Sequence, residues 1–198
     1  MPSKTYIGID GEGVCGHTVA DPNHRYVLLA AVTEDGERRY SVENLKGLST
    51  LECLRFIMAL PYTNTRIFGY ALNYDWTKIL QDLDEQRLYL LFRPELRKRR
   101  HSRRGKKGPR PIYWQGYSLN LQGTKFTLEY QGRKVTIWDI WKFYHSRFVG
   151  AIKDWRVGNE ALYDRMSKMK NKRATFRPEE LPQIRMYCFE ECQCMAEL

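Results

Sequence analysis

YIGIDGEG, residues 6–13, is the stretch on which the fold turns. Residues 5–12 alternate in the manner of a short strand, and Asp10 and Glu12, two apart on it, point to the same side. Two neighbouring carboxylates repel each other and desolvate poorly unless a divalent cation neutralises them. The glycines at 8, 11 and 13 leave the strand edge open, so a substrate can come close to the backbone. Taken alone, DGEG can equally be a turn.

Further along, 26–33 (YVLLAAVT) reads as an apolar strand, EDG at 34–36 as a turn, and ERRYSV as an edge strand, together a mostly antiparallel N-terminal sheet. Leu48 to Leu60 has helical periodicity, with Leu51, Leu54, Ile57 and Met58 on one face. RIFGY at 66–70 is a second core strand, followed by a helix from about Asp75 to Leu83 and then by YLLF. Strands are expected at 112–119, 125–130 and 133–139, with KFTLEY–QG–RKVTIWD the clearest hairpin. A short helix is expected over Trp141 to Val149, a basic stretch interrupted by Pro178 over 164–178, and a last helix from near Pro182 to Leu198. The pattern predicts one α/β domain spanning residues 1–198, with no internal repeat.

Composition narrows the function. The 198 residues are 42% apolar, which fits a folded core, and contain no apolar run of eighteen, so no membrane span is expected. MPSKTYIGID lacks the apolar stretch of a signal peptide, and five cysteines is an odd count, with Cys188, Cys192 and Cys194 crowded together. A secreted disulfide framework is not expected on that basis, a reducing compartment (cytoplasm, or a host cell's interior) fits better, and the cysteines lack a clear paired-ligand pattern for zinc. Nine of the 33 basic residues fall in RKRRHSRRGKKGPR, leaving 24 against 23 acidic residues elsewhere. These nine, Arg97, Lys98, Arg99, Arg100, Arg103, Arg104, Lys106, Lys107 and Arg110, form a basic insertion or loop suited to gripping a phosphate backbone. A solvated surface loop is the plainer alternative.

Four acidic positions in three segments carry the chemistry. Asp10 and Glu12 lie on the first strand. Asp75 lies in FGYALNYDWTKIL at a strand-to-helix junction, where it either caps the helix or reaches toward Asp10. Tyr187 and Glu191, in IRMYCFEECQCMAEL, are four apart and share a helix face. Such a set can hold two divalent metals beside a phosphodiester.

In these motifs the chain resembles the DEDD 3′–5′ exonucleases, in the tyrosine branch that serves as proofreading domain of family B DNA polymerases of viral, plasmid or mobile-element type. IDGE, NYDWTKIL and YCFEE carry the resemblance, which runs from Tyr6 to Leu198. It implies a ribonuclease H-like fold, a central mixed sheet flanked by helices, in a monomer that can be part of a larger DNA-replication polymerase. It implies metal-dependent removal of 3′-terminal nucleotides from single-stranded or frayed DNA, releasing nucleoside 5′-monophosphates. Asp10, Glu12, Asp75 and Glu191 would bind two Mg²⁺ or Mn²⁺ ions, and Tyr187 would orient the attacking water. Two departures stand out. The third motif ends in Glu191, with Glu190 beside it, where the family has Asp; Asn73 is only two residues before Asp75. Weak activity or a manganese preference is expected from the longer side chain. Tyr70, Tyr74 and Trp76 are candidates for stacking on bases, and Asp139 for a helix cap or a group behind the metal ligands. The alternatives are a catalytically silent domain that binds single-stranded nucleic acid, another ribonuclease H-like nuclease, and an architectural basic protein.

Overall fold

Alternating and apolar runs within residues 5–69 and 112–139 converge on one large sheet. The computed structural model describes residues 4–14, 24–100, 108–170 and 176–198. β1 (Thr5–Val14), β2 (Arg25–Thr33) and β3 (Arg39–Glu43) come first, then α1 (Thr50–Ala59), β4 (Thr65–Gly69), α2 (Asn73–Ile79) and α3 (Glu85–Phe92). A short ribbon of β5 (Arg99–Arg100) and β6 (Gly108–Pro109) precedes β7 (Ile112–Trp114), β8 (Tyr117–Gln122), β9 (Lys125–Tyr130) and β10 (Arg133–Asp139). Helices α4 (Trp141–Tyr144), α5 (Phe148–Asp154), α6 (Glu160–Lys170) and α7 (Leu181–Glu197) follow.

Eight strands pair in the order β3-β2-β1-β4-β10-β9-β8-β7. The sheet is mixed and mostly antiparallel, with β4 running parallel to both β1 and β10. β2 is apolar at almost every position because helices cover both faces. Leu29 and Ala31 pack with α1, α2 and α3, whereas Leu28, Ala30 and Val32 pack with α5, α6 and α7. No described helix is long and apolar enough to cross a membrane.

Local chemistry sets the boundaries. Ser49 caps α1 and forms a reciprocal capping box with Glu52, and Cys53 joins Leu54, Ile57 and Met58 on the buried face while Leu51 is only partly covered. The helix expected from Asp75 to Leu83 stops early, and a separate helix follows it. α2 ends at Ile79, and Asp84 accepts from the Arg87 N–H to open α3 over the YLLF segment. The strand expected at 112–119 divides into β7 and β8, because Gln115 and Gly116 both take positive φ in a tight hairpin turn; Gln131 and Gly132 do the same between β9 and β10. The helix expected over 141–149 is interrupted by His145 in the left-handed region. Part of the basic stretch at 164–178 belongs to α6, which buries Tyr163, Met166 and Met169 at helical spacing.

The basic segment is also more ordered at its ends than a free loop. Arg97 is only 6% exposed, and its guanidinium donates to the Arg110 carbonyl at 2.9 Å, Asn120 Oδ1 at 3.0 Å and the Leu121 carbonyl at 2.9 Å. With those acceptors engaged, Arg97 ties the base of the ribbon to β8 and is not presented to a phosphate backbone. Lys98 and Arg110 are exposed. Arg99 and Arg100 form β5, while Arg103, Arg104, Lys106 and Lys107 lie outside the described residues.

Candidate metal centre

The site begins with how closely α7 lies on β1. A Cβ at Gly8 would stand 1.8 Å from the carbonyl oxygen of Cys192, so the helix backbone rests directly on the strand where a side chain is missing. That contact lies on the strand face from which Asp10 and Glu12 project. It settles the choice between the two adjacent glutamates. Glu190 faces outward and accepts two bonds from the Arg165 guanidinium, at 2.9 and 2.8 Å. Glu191 turns inward and is 2% exposed.

Asp75 arrives from the other side. It sits in the first turn of α2 but does not cap it; the cap position is Leu72. Its Oδ1 accepts from the Tyr26 hydroxyl at 2.9 Å. Tyr26 reaches it across Gly11, where a Cβ would fall 1.8 Å from that hydroxyl. The turn leading into α2 is held by Asp139. Its Oδ1 accepts from the N–H groups of Ala71 and Trp141, and its Oδ2 from that of Leu72, each at 3.0 Å. Asp139 therefore joins the β4–α2 turn to the start of α4. Asn73 is the first residue of α2, and neither it nor Asp139 is among the residues lining the cavity described next.

Asp10, Glu12, Asp75 and Glu191 all line one cavity of about 500 Å³. Glu12 is 3% and Asp75 5% exposed. Burial, and then the negative charges of Glu191, Asp75 and Glu12, push the Asp10 carboxyl well above the usual aspartate range. Burial likewise raises the Tyr26 phenol, with Asp75 and Asp10 adding to it. This crowding of oxygen donors is the chemistry that a divalent cation relieves. Asp10, Glu12 and Cys188 form a group able to hold a metal ion, their ligand atoms all lying within 4.8 Å of one another. The Cys188 thiol is raised by its hydrogen bond to Cys192, by burial, and by the charges of Asp10 and Glu12.

Tyr187 is placed differently from the expectation of a residue facing the site. It is 3% exposed, belongs to the apolar cluster under α7, and is not among the residues lining the cavity. Of the three candidate stacking residues, Tyr70 and Tyr74 line the cavity, whereas Trp76 is core and packs on Phe126 with ring centroids 4.5 Å apart. Sequence reasoning missed His24, Trp141, Ser146, Arg147, Phe148 and Lys170, which complete much of the wall. His24 pairs with the Tyr74 hydroxyl, and the Tyr70 hydroxyl donates to the Ser146 carbonyl at 2.6 Å. No local pattern marks these residues; His24 precedes β2, Trp141 to Phe148 come from α4, α5 and the turn between them, and Lys170 ends α6.

The fold built around this cavity is a mixed α/β fold shared with part of a DNA polymerase. One similar solved structure is Phi29 DNA polymerase complexed with primer–template DNA, with a TM-score of 0.54 and 11% identity over 98% of this chain. Another, Phi29 DNA polymerase in an orthorhombic crystal form, has a TM-score of 0.50 and 12% identity over 98% of the chain. The chain spans 30% of the length of each polymerase chain. No protein-family model and no curated protein matches the sequence.

Proposed function

We propose that this chain is a metal-dependent 3′–5′ exonuclease of the DEDD type with a ribonuclease H-like fold, acting on single-stranded or frayed DNA ends. The observation that carries the reading is the meeting of four carboxylates from three distant segments in one cavity. A mixed sheet covered by helices on both faces supports the fold, and the likeness to part of a DNA polymerase supports a nucleic-acid substrate. The proposal treats residues 1–198 as one exonuclease domain, working alone or as the proofreading part of a larger polymerase.

Asp10, Glu12, Asp75 and Glu191 would hold Mg²⁺ or Mn²⁺. Such cations, when bound, activate a water and offset the charge on the departing oxygen. The protein's own part is to fix the carboxylates and the strand end. Tyr26 fixes Asp75 by hydrogen bond. Arg147 and Lys170 in the wall bring positive charge to a phosphodiester entering the cavity. Tyr70 and Tyr74 offer aromatic faces to the terminal bases, a sequence-tolerant contact. Lys98 and Arg110 contribute backbone attraction that weakens as salt rises.

The burial of Tyr187 away from the cavity wall favours one second reading, a domain of this fold that binds single strands without cutting them. One experiment separates the two. A 5′-labelled single-stranded oligonucleotide is incubated with the protein and Mg²⁺ or Mn²⁺, beside Asp10→Ala/Glu12→Ala. A ladder shortening from the 3′ end and absent with the variant supports the exonuclease. Binding without cleavage under either cation overturns it in favour of the silent domain.

A further inference from the structure

Cys188 stands at the carboxylate cluster, and the exonuclease reading gives it no task. It is fully buried on α7, and its Sγ forms a triangle with carboxylate oxygens of Asp10 and Glu12, all within 4.8 Å of one another. Magnesium has little use for such a corner, since it takes oxygen donors in a near-octahedral shell. Sulfur is a ligand of borderline and soft cations. Zinc accepts thiolate at ~2.3 Å and carboxylate at ~2.0–2.2 Å in a tetrahedral set, which puts neighbouring donor atoms roughly 3.5 Å apart. Drawing in atoms that already lie within 4.8 Å of one another to that spacing calls for shifts of only about 1 Å.

The neighbouring thiol does not compete for the role. Cys192 Sγ donates to the Ala30 carbonyl at 3.4 Å, toward β2. Cys53 lies in the cluster on the opposite face of the sheet.

We propose that Asp10, Glu12 and Cys188 form a mixed carboxylate–thiolate centre that takes a thiophilic divalent cation of the Zn²⁺ or Cd²⁺ class. Coordination releases the Cys188 proton to solvent and forms the metal–sulfur bond without any change of oxidation state. Because two of the three ligands are shared with the Mg²⁺ or Mn²⁺ site of the exonuclease reading, the thiophilic cation excludes the hard one. This last consequence rests on that reading, whereas the centre itself does not.

Cobalt is the probe, because a thiolate bound to Co²⁺ gives a charge-transfer absorption in the near ultraviolet that carboxylates alone do not. Metal-free protein is titrated with Co²⁺, with bound metal counted by dialysis. The expected result is a sulfur-to-cobalt band that saturates at one equivalent, survives in Cys53→Ser, and disappears in Cys188→Ser and Cys188→Ala. Cd²⁺ affinity should fall at least about tenfold in both Cys188 variants. A wild-type protein that binds Co²⁺ without the band overturns the proposal, and this readout needs no variant to fold. So does a band that persists without Cys188. A band in a protein that cleaves no oligonucleotide keeps the centre and removes the exonuclease; cleavage without the band does the reverse.

Discussion

Replacing Gly8 by alanine tests the seating of the whole site. The new Cβ would lie 1.8 Å from the Cys192 carbonyl oxygen, 2.7 Å from its carbonyl carbon and 3.0 Å from its Cα. All three are helix backbone, so no side chain can swing aside. Ordinary contact begins at 3.4 Å. α7 must therefore move off β1 by roughly 1.5 Å at that point, a shift set by overpacking rather than by lost burial. Overpacking of this kind costs about 1–3 kcal/mol, which in a chain of this size lowers the melting temperature by roughly 2–12 °C. The functional loss should be larger than the stability loss. Glu191, one residue before Cys192, moves with the helix, and a displacement of about 1 Å between reacting groups costs on the order of 100-fold in rate. The assays are a thermal melt followed by circular dichroism and the timed shortening of a labelled oligonucleotide with Mn²⁺. Adding Mn²⁺ should also raise the melting temperature of Gly8→Ala less than that of the wild type. A Gly8→Ala protein with wild-type melting and wild-type cleavage would refute the reasoning, because α7 could not then rest where it does.

Three other outcomes are expected. Asp139→Ala removes an acceptor from three backbone N–H groups and should cost about 3 kcal/mol in a thermal melt, with faster hydrogen exchange at Ala71 and Leu72; unchanged exchange there would contradict the role given to this carboxylate. Arg97→Ala should destabilise by at least about 1–3 kcal/mol, the cost of leaving a buried oxygen without its donor, yet leave the salt dependence of oligonucleotide binding as it was; Lys98→Ala should do the opposite, lowering the salt slope by about one with little change in melting. Burial, then Glu52 and Asp82, push the Cys53 thiol up to about 12, so the native state holds its proton longer than the unfolded chain does. That contribution is whole below the ordinary thiol range and is lost as pH rises toward 12, so urea melts from pH 8 to 10.5 should fall more steeply for wild type than for Cys53→Ala. Equal slopes would place Cys53 in contact with water.

What the sequence discloses depends on whether a residue's role is local. Asp10 and Glu12 are two apart on a strand, and the period of two alone puts them on one side. Ser49 and Glu52, or Gln131 and Gly132, are similarly readable, since caps and tight turns are settled within four residues. The misread elements share another feature. α6 looks like a basic tract because its buried Tyr163, Met166 and Met169 are spread among lysines and arginines that solvent accepts. Arg97 reads as one more charge in a basic run, and only the pairing of β8 shows that Asn120 and Leu121 stand ready to accept its protons. Spacing along the chain already puts Glu191 on the face of Tyr187; what it does not show is the partner that holds Glu190 outward, Arg165, twenty-five residues away.

The same distinction explains why the centre depends on small residues as well as on its acids. A carboxylate can be supplied at many positions, but four of them crowd together only where two structural elements approach without side chains between them. Gly8 permits this for α7, bringing Glu191 near enough to be the largest charge acting on Asp10. Gly11 permits it on the opposite face, where the Tyr26 hydroxyl occupies the space of a Cβ and reaches Asp75. The alternation in YIGIDGEG thus has two meanings at once. Asp10 and Glu12 supply charge, and the glycines before and between them decide which charges from the rest of the chain can come near. A carboxylate added elsewhere on β1 would lack that access, because β2 and β4 flank the strand and helices cover both its faces. The metal affinity of this chain should accordingly respond to Gly8 and Gly11 as sharply as to the loss of a ligand.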